Sequence, residues 1–108
     1  MKISDLIPYG HDNAIGRKEL LIVAHRHFPN VNTDRQMRRE IQRCRERGTV
    51  ILYASDGGYY QPTNDDVQYI KRYIAAERTK AQTLFKETHF AEKLLDDIAV
   101  GRKVGEQV

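Results

Sequence analysis

The sequence predicts a mainly α-helical α+β chain: a compact helical domain carrying one small β-hairpin, followed by a long C-terminal helix. Three observations carry this prediction. Arg17 to about His27, and Thr33 to about Arg47, repeat apolar residues at helical spacing. Thr49 to Ala54 and Tyr59 to Gln61 read as strands around Ser55-Asp56-Gly57-Gly58, a strong hairpin turn. From Thr63 onward no proline or glycine occurs until Gly101.

The elements follow in order. Ser4-Asp5-Leu6-Ile7 opens as a helical turn that Pro8 or Gly10 closes. His11 to Gly16 is polar and bounded by glycine, hence a loop, with Ile15 stapling the next helix. In the first clear helix Leu20, Leu21, Ala24 and Phe28 form one buried face, and Pro29-Asn30 stop it. Thr33 is a good N-cap for the second helix, and Asp34 suits the positive end of its dipole. Met37, Ile41 and Cys44 define its inner face, and Gly48 ends it. Thr63 or Asn64 caps a third helix that begins with Asp65-Asp66 and runs to about Ile98, roughly 50 Å. The expected organisation is 1–62 for the hairpin-bearing domain, 63–99 for the long helix and 100–108 for a disordered tail.

Composition narrows the function classes. At 108 residues the chain suits one domain, and 40% hydrophobic with 31% charged residues suits a globular one. No apolar run reaches the ~20 residues of a membrane span, and the first residues lack a signal-peptide core. A cytoplasmic location without membrane contact is the expectation. Cys44 is the single cysteine, so no internal disulfide and no cysteine metal pair exist. His25 and His27 lie two apart and do not share a helix face, and His11 and His89 have no ligand partners at informative spacing. No phosphate-binding glycine loop, nucleophile elbow or paired-carboxylate arrangement stands out. The expectation is a protein that is not an enzyme and uses no cofactor or metal.

Helix, turn, helix and then a glycine-tipped hairpin is the order of a winged helix-turn-helix. The segments Leu6-Ile7-Pro8-Tyr9-Gly10, Asn13-Ala14-Ile15, Lys18-Glu19-Leu20, Arg38-Arg39-Glu40-Ile41 with Arg45-Glu46-Arg47-Gly48, and Gly58-Tyr59-Tyr60 together resemble a family of small winged-helix proteins encoded by bacteriophages and prophages. The resemblance covers roughly residues 3 to 75. It implies DNA binding, and the host cytoplasm as the place of action.

Charge distribution agrees with a polyanionic partner. The net charge is +3. Thr33 to Arg47 holds six arginines against Asp34, Glu40 and Glu46, which already accounts for that excess. The remainder of the chain is balanced. With Met37, Ile41 and Cys44 facing inward, Arg35, Arg39, Gln42 and Glu46 face out. Arg38 and Arg45 take one flank, Gln36, Arg43 and Arg47 the other. Arginine reads guanine and glutamine reads adenine through paired hydrogen bonds in the major groove. Arg35, Gln36 and Arg39 are therefore the expected base readers, and Arg38, Gln42 and Arg43 make mixed or phosphate contacts. Arg17 and Lys18, at the start of the first helix, are expected phosphate partners. The competing expectation is a solvated helix whose arginines pair with nearby acids. The hairpin tip has no Lys or Arg, and Asp56 repels phosphate, so the hairpin is expected mainly to complete the core.

On the long helix Val67, Ile70, Ile74, Ala81, Leu84, Ala91, Leu95 and Ile98 form a three–four ladder, interrupted by Glu77 and Thr88. A small domain covers only the first turns. Ile74, Ala81, Leu84, Phe85, Ala91 and Leu95 are expected to bury themselves in a homodimer, as a coiled coil or an antiparallel pair. A break near Thr79 or Thr88, with the helix folding back, is the alternative. The functional expectation is a double-stranded DNA-binding regulator of phage transcription or replication. The second is a protein-interaction module whose long helix docks on a phage or host replication or transcription protein. A structural adaptor of a virion is the third.

Overall fold

The computed structural model describes residues 1–102 of the chain. The chain divides into two units, the first spanning Met1–Lys71 and the second beginning at Arg72. Three α-helices are present among the described residues: α1 (Arg17–His27), α2 (Asp34–Glu46) and α3 (Val67–Ala99). Three short strands accompany them: β1 (Ile15–Gly16), β2 (Leu52–Ala54) and β3 (Gly58–Tyr60). A 3-10 turn at Ile3–Leu6 precedes them, where the opening helical turn is expected.

Local chemistry explains both ends of α2. Thr33 Oγ1 accepts from the Gln36 backbone N–H at 3.2 Å. Gln36 Oε1 reaches back and accepts from the N–H groups of Asn32 (2.7 Å) and Thr33 (3.1 Å). This reciprocal cap satisfies donors that a helix start otherwise leaves open. At the other end Gly48 takes a left-handed φ of +102°, and Gly48 and Thr49 donate to the carbonyls of Arg45 and Cys44. That pair of bonds is a Schellman closure, which needs a residue free of the Cβ penalty. Met37, Ile41 and Cys44 are buried as their spacing predicts, in one core with Leu20 and Ala24 of α1. Ile3, Ile7 and Val31 join that core. Val31 is buried because the turn after α1 folds in: its N–H donates to the Phe28 carbonyl, and His25 Nδ1 lies 3.2 Å from the Val31 carbonyl oxygen.

The hairpin forms as expected, and a third strand joins it. The sheet order is β1-β3-β2, with Ile15 opposite Tyr59 and Tyr53 opposite Tyr59 on the other side. The loop expected over His11 to Gly16 thus contains a strand as well as a short 3-10 turn at His11–Asn13. Two residues are too few to show a period of two, and their partners lie more than forty positions away. Gln61 locks the N-terminal turn to this sheet by donating Nε2 to the carbonyls of Ser4 (2.8 Å) and Ile7 (3.0 Å). The result is a winged helix-turn-helix followed by a long helix.

The first unit extends past the expected boundary at residue 62. Thr63 Oγ1 caps the turn Asn64–Asp66, and the buried Asp66 carboxylate accepts from the Thr63 N–H at 2.9 Å. That bond holds the Asp66 carboxyl below the usual carboxylate range. Tyr69, on the first turn of α3, stacks on the His11 ring at 4.0 Å, and His11 meets Tyr60 edge-on at 5.3 Å. These contacts bring residues 63–71 into the first unit.

Helix α3 runs 33 residues without interruption. No break occurs at Thr79 or Thr88. Their hydroxyls donate back to the helix carbonyls of Ala75 (2.9 Å) and Phe85 (2.8 Å), so neither residue needs to leave the helix. Gly101, at φ +83°, closes α3 as Gly48 closes α2: Gly101 and Arg102 donate to the carbonyls of Ile98 and Asp97. Residues 100–102 of the expected tail thus bond back to the last turn of α3. Residues 103–108 lie outside the described residues.

Candidate nucleic-acid interface

Asp34 sits in the first turn of α2 and gathers two arginines. Arg17, the first residue of α1, donates Nε to Oδ1 at 3.2 Å and Nη2 to Oδ2 at 2.7 Å. Arg38, one turn further along α2, lies 2.8 Å from Oδ2. The bond from Arg17, its charge and that of Arg38 hold the Asp34 carboxyl below its ordinary value, against partial desolvation. The Asp34 carboxylate, foremost, raises the pKa of Arg17. Tyr53 meets Tyr59 edge-on at 4.9 Å. Arg17, expected on phosphate, therefore ties α1 to α2. Sequence reasoning missed the Arg17–Asp34 pair, whose members lie 17 positions apart.

Two other arginines of α2 are also held. Arg43 pairs with Glu40 one turn back. Arg45 donates Nε (3.0 Å) and Nη2 (2.8 Å) to the Ile51 carbonyl, tying the end of α2 to the chain entering β2. Gln36, expected to read bases, is committed through Oε1 to the N-cap, and only its amide nitrogen stays available.

What stays uncommitted is narrower than the sequence suggests. Among the described residues Arg35, Arg39 and Arg47 form no ion pair or side-chain hydrogen bond, nor does Lys18. Arg35 and Arg39 lie four apart, so their side chains stand one above the other on the exposed face of α2. Gln42 lies on the same face and is also exposed. The face opposite is buried by Met37, Ile41 and Cys44. An exposed helix carrying two uncompensated guanidinium groups can donate paired hydrogen bonds to guanine edges or phosphates. The hairpin tip offers Ser55, Asp56 and Gly57 and no cation.

The second unit begins at Arg72. Its expected dimerisation residues Ile74, Ala81, Leu84, Phe85, Ala91 and Leu95 are all exposed, Phe85 at 74% and Leu95 at 67%. Among the described residues no group of histidine, cysteine and acidic side chains is arranged to hold a metal ion. No helix among them is long and apolar enough to cross a membrane.

Fold and site together define a winged-helix chain with an exposed arginine face on its second helix. No family model, curated protein or solved structure matches the chain.

Proposed function

We propose that this chain binds double-stranded DNA and reads the major groove with α2, as a regulator of transcription or replication. The observation that carries the reading is the pair Arg35 and Arg39. They are exposed, four apart and uncompensated, on the helix that a winged-helix fold presents to DNA. The pair Arg17–Asp34 ties that helix to α1, and Arg38–Asp34 and Arg43–Glu40 are pairs within it. The resemblance to phage and prophage winged-helix proteins supports action in a host cytoplasm. Association through α3 would give a homodimer with two reading helices for a two-fold site.

Selection of bound sequences from a random duplex pool tests this. The expected result is an enriched motif whose binding weakens steeply with salt, through release of counterions. Absence of a shifted complex in an electrophoretic assay, even at low salt, would sink it.

One observation favours a second reading, a protein-interaction module: the apolar residues of α3 from Leu84 to Ile98 are exposed. Arg35→Glu with Arg39→Glu separates the two. Loss of activity supports DNA reading. Retained activity, lost instead on polar substitution of Leu84 and Leu95, supports the module.

A further inference from the structure

Beyond Arg72, helix α3 carries an apolar stripe of Ile74, Ala81, Leu84, Ala91, Leu95 and Ile98, with Glu77 and Thr88 as its polar members. This is the alternation of three and four that seats one helix against another. The stripe is exposed along its whole length.

The charges on the same stretch say what fits it. Residues 72–86 hold Arg72, Arg78, Lys80 and Lys86 against Glu77. Residues 87–99 hold Glu87, Glu92, Asp96 and Asp97 against Lys93. The basic half and the acidic half are equal and opposite. Such a helix complements a second copy of itself only when the two run in opposite directions.

We propose that a second copy of this chain covers the stripe, as an antiparallel helix pair in which Ala81 faces the partner's Leu84. This deepens the homodimer named above and does not depend on DNA binding. The adjoining layers follow from the heptad register. Glu77 faces the partner's Thr88, so the two polar interruptions meet each other. Ile74 faces the partner's Ala91, so large again meets small. At the flanks Lys80 comes beside the partner's Glu87, and Arg78 beside the ring of the partner's Phe85, a cation–π arrangement. Tyr73 comes beside the partner's Leu94. A parallel pair loses these matches. It stacks Glu77 on the partner's Glu77, Thr88 on the partner's Thr88, and sets Glu87 next to the partner's Glu92. Like charges at such positions oppose pairing.

The test uses the full chain and contains no DNA, so its failure and that of the DNA reading are distinguishable. Sedimentation measures the oligomeric state, and cysteine cross-linking measures direction. Two Thr88 side chains in the antiparallel pair stand about 16 Å apart along the axis, eleven residues at 1.5 Å each. A thiol cross-linker shorter than about 10 Å cannot join them across that span. The expected result is a dimer in which a mixture of Glu77→Cys and Thr88→Cys chains cross-links, while neither variant links to itself. Wild type serves as the blank, since Cys44 is buried. Lys80→Glu should raise the dimer Kd on the order of tenfold by replacing an attraction with a repulsion at both symmetric sites. Adding Glu87→Lys should restore it. A role for Lys80 confined to its own helix, where it pairs with Glu77 at 3.1 Å, would not be rescued this way. A chain that stays monomeric up to about 100 μM, or Thr88→Cys linking to itself, overturns the proposal.

Discussion

Arg17 and Asp34 join the first residue of α1 to the first residue of α2 through two parallel hydrogen bonds, at 3.2 and 2.7 Å. The pair links the two helix starts outside the apolar core, and it gives Arg17 a carboxylate partner. Its strength should depend on pH. The Asp34 carboxyl is held below its ordinary value mainly by the Arg17 bond. A depressed folded-state pKa contributes stability above the unfolded value, about 3.9, and that contribution is lost as pH falls through the folded value. Asp34→Asn is therefore expected to lower Tm by a few degrees at neutral pH. The gap to wild type should begin to narrow near about pH 4 and close as pH falls through the lower folded value. Thermal melts from pH 7 to pH 2 check this, and a gap that stays constant would contradict it.

The free arginines and the committed one should part company in binding. Arg39→Ala is expected to cost about 1–3 kcal/mol at a specific duplex site. Arg35→Ala should behave alike. Arg17→Ala should lower thermal stability and change the slope of log affinity against log salt less than Arg39→Ala does, because Arg17 shares the Asp34 carboxylate with Arg38. Fluorescence anisotropy at several salt concentrations, set beside thermal melts, measures both.

Gln36 is a cap before it is a reader. Gln36→Ala is expected to destabilise the first unit by about 1 kcal/mol, as Thr33→Ala should, since each removes half of one reciprocal cap. Gln36→Glu keeps an acceptor for the Asn32 and Thr33 N–H groups and should leave stability within about 0.5 kcal/mol of wild type. Urea denaturation of the three variants decides it. Equal losses for Gln36→Ala and Gln36→Glu would assign the side chain no capping role.

Two adjacent glycines of the hairpin serve different ends. Gly57 turns the chain at φ +94°, a conformation that other residues adopt only under strain. Gly58 is needed for closeness: a Cβ there would lie 2.9 Å from Ala14 Cβ and 3.1 Å from the Ile15 carbonyl oxygen. Gly58→Ala is expected to cost about 1–3 kcal/mol by forcing β1 away from β3. Amide exchange across that ladder should quicken with it. Unchanged exchange at Ile15 and Gly16 would show that the strand pair yields without cost.

The three helices, the inner face of α2 and the Thr33 and Gly48 ends of α2 were legible in the sequence. Each is a local matter: Thr33 and Gln36 are three apart, Met37, Ile41 and Cys44 lie within eight positions, and Gly48 and Gly101 close helices through bonds to the preceding turn. The charge excess in residues 33–47 was legible too, because it is a count. Strand β1 was not, since two residues carry no pattern and their pairing with Gly58 and Tyr59 spans most of the first unit. The division of the arginines was the other thing only tertiary structure decided. Arg17 meets Asp34 across 17 positions and Arg45 meets the Ile51 carbonyl, and no spacing rule on a single helix contains either contact. Sequence determined that one helix is rich in arginine. The fold determined which arginines are paired: Arg17, Arg38 and Arg43 meet carboxylates while Arg35 and Arg39 form no ion pair among the described residues, because electrostatic partners are chosen by distance in space.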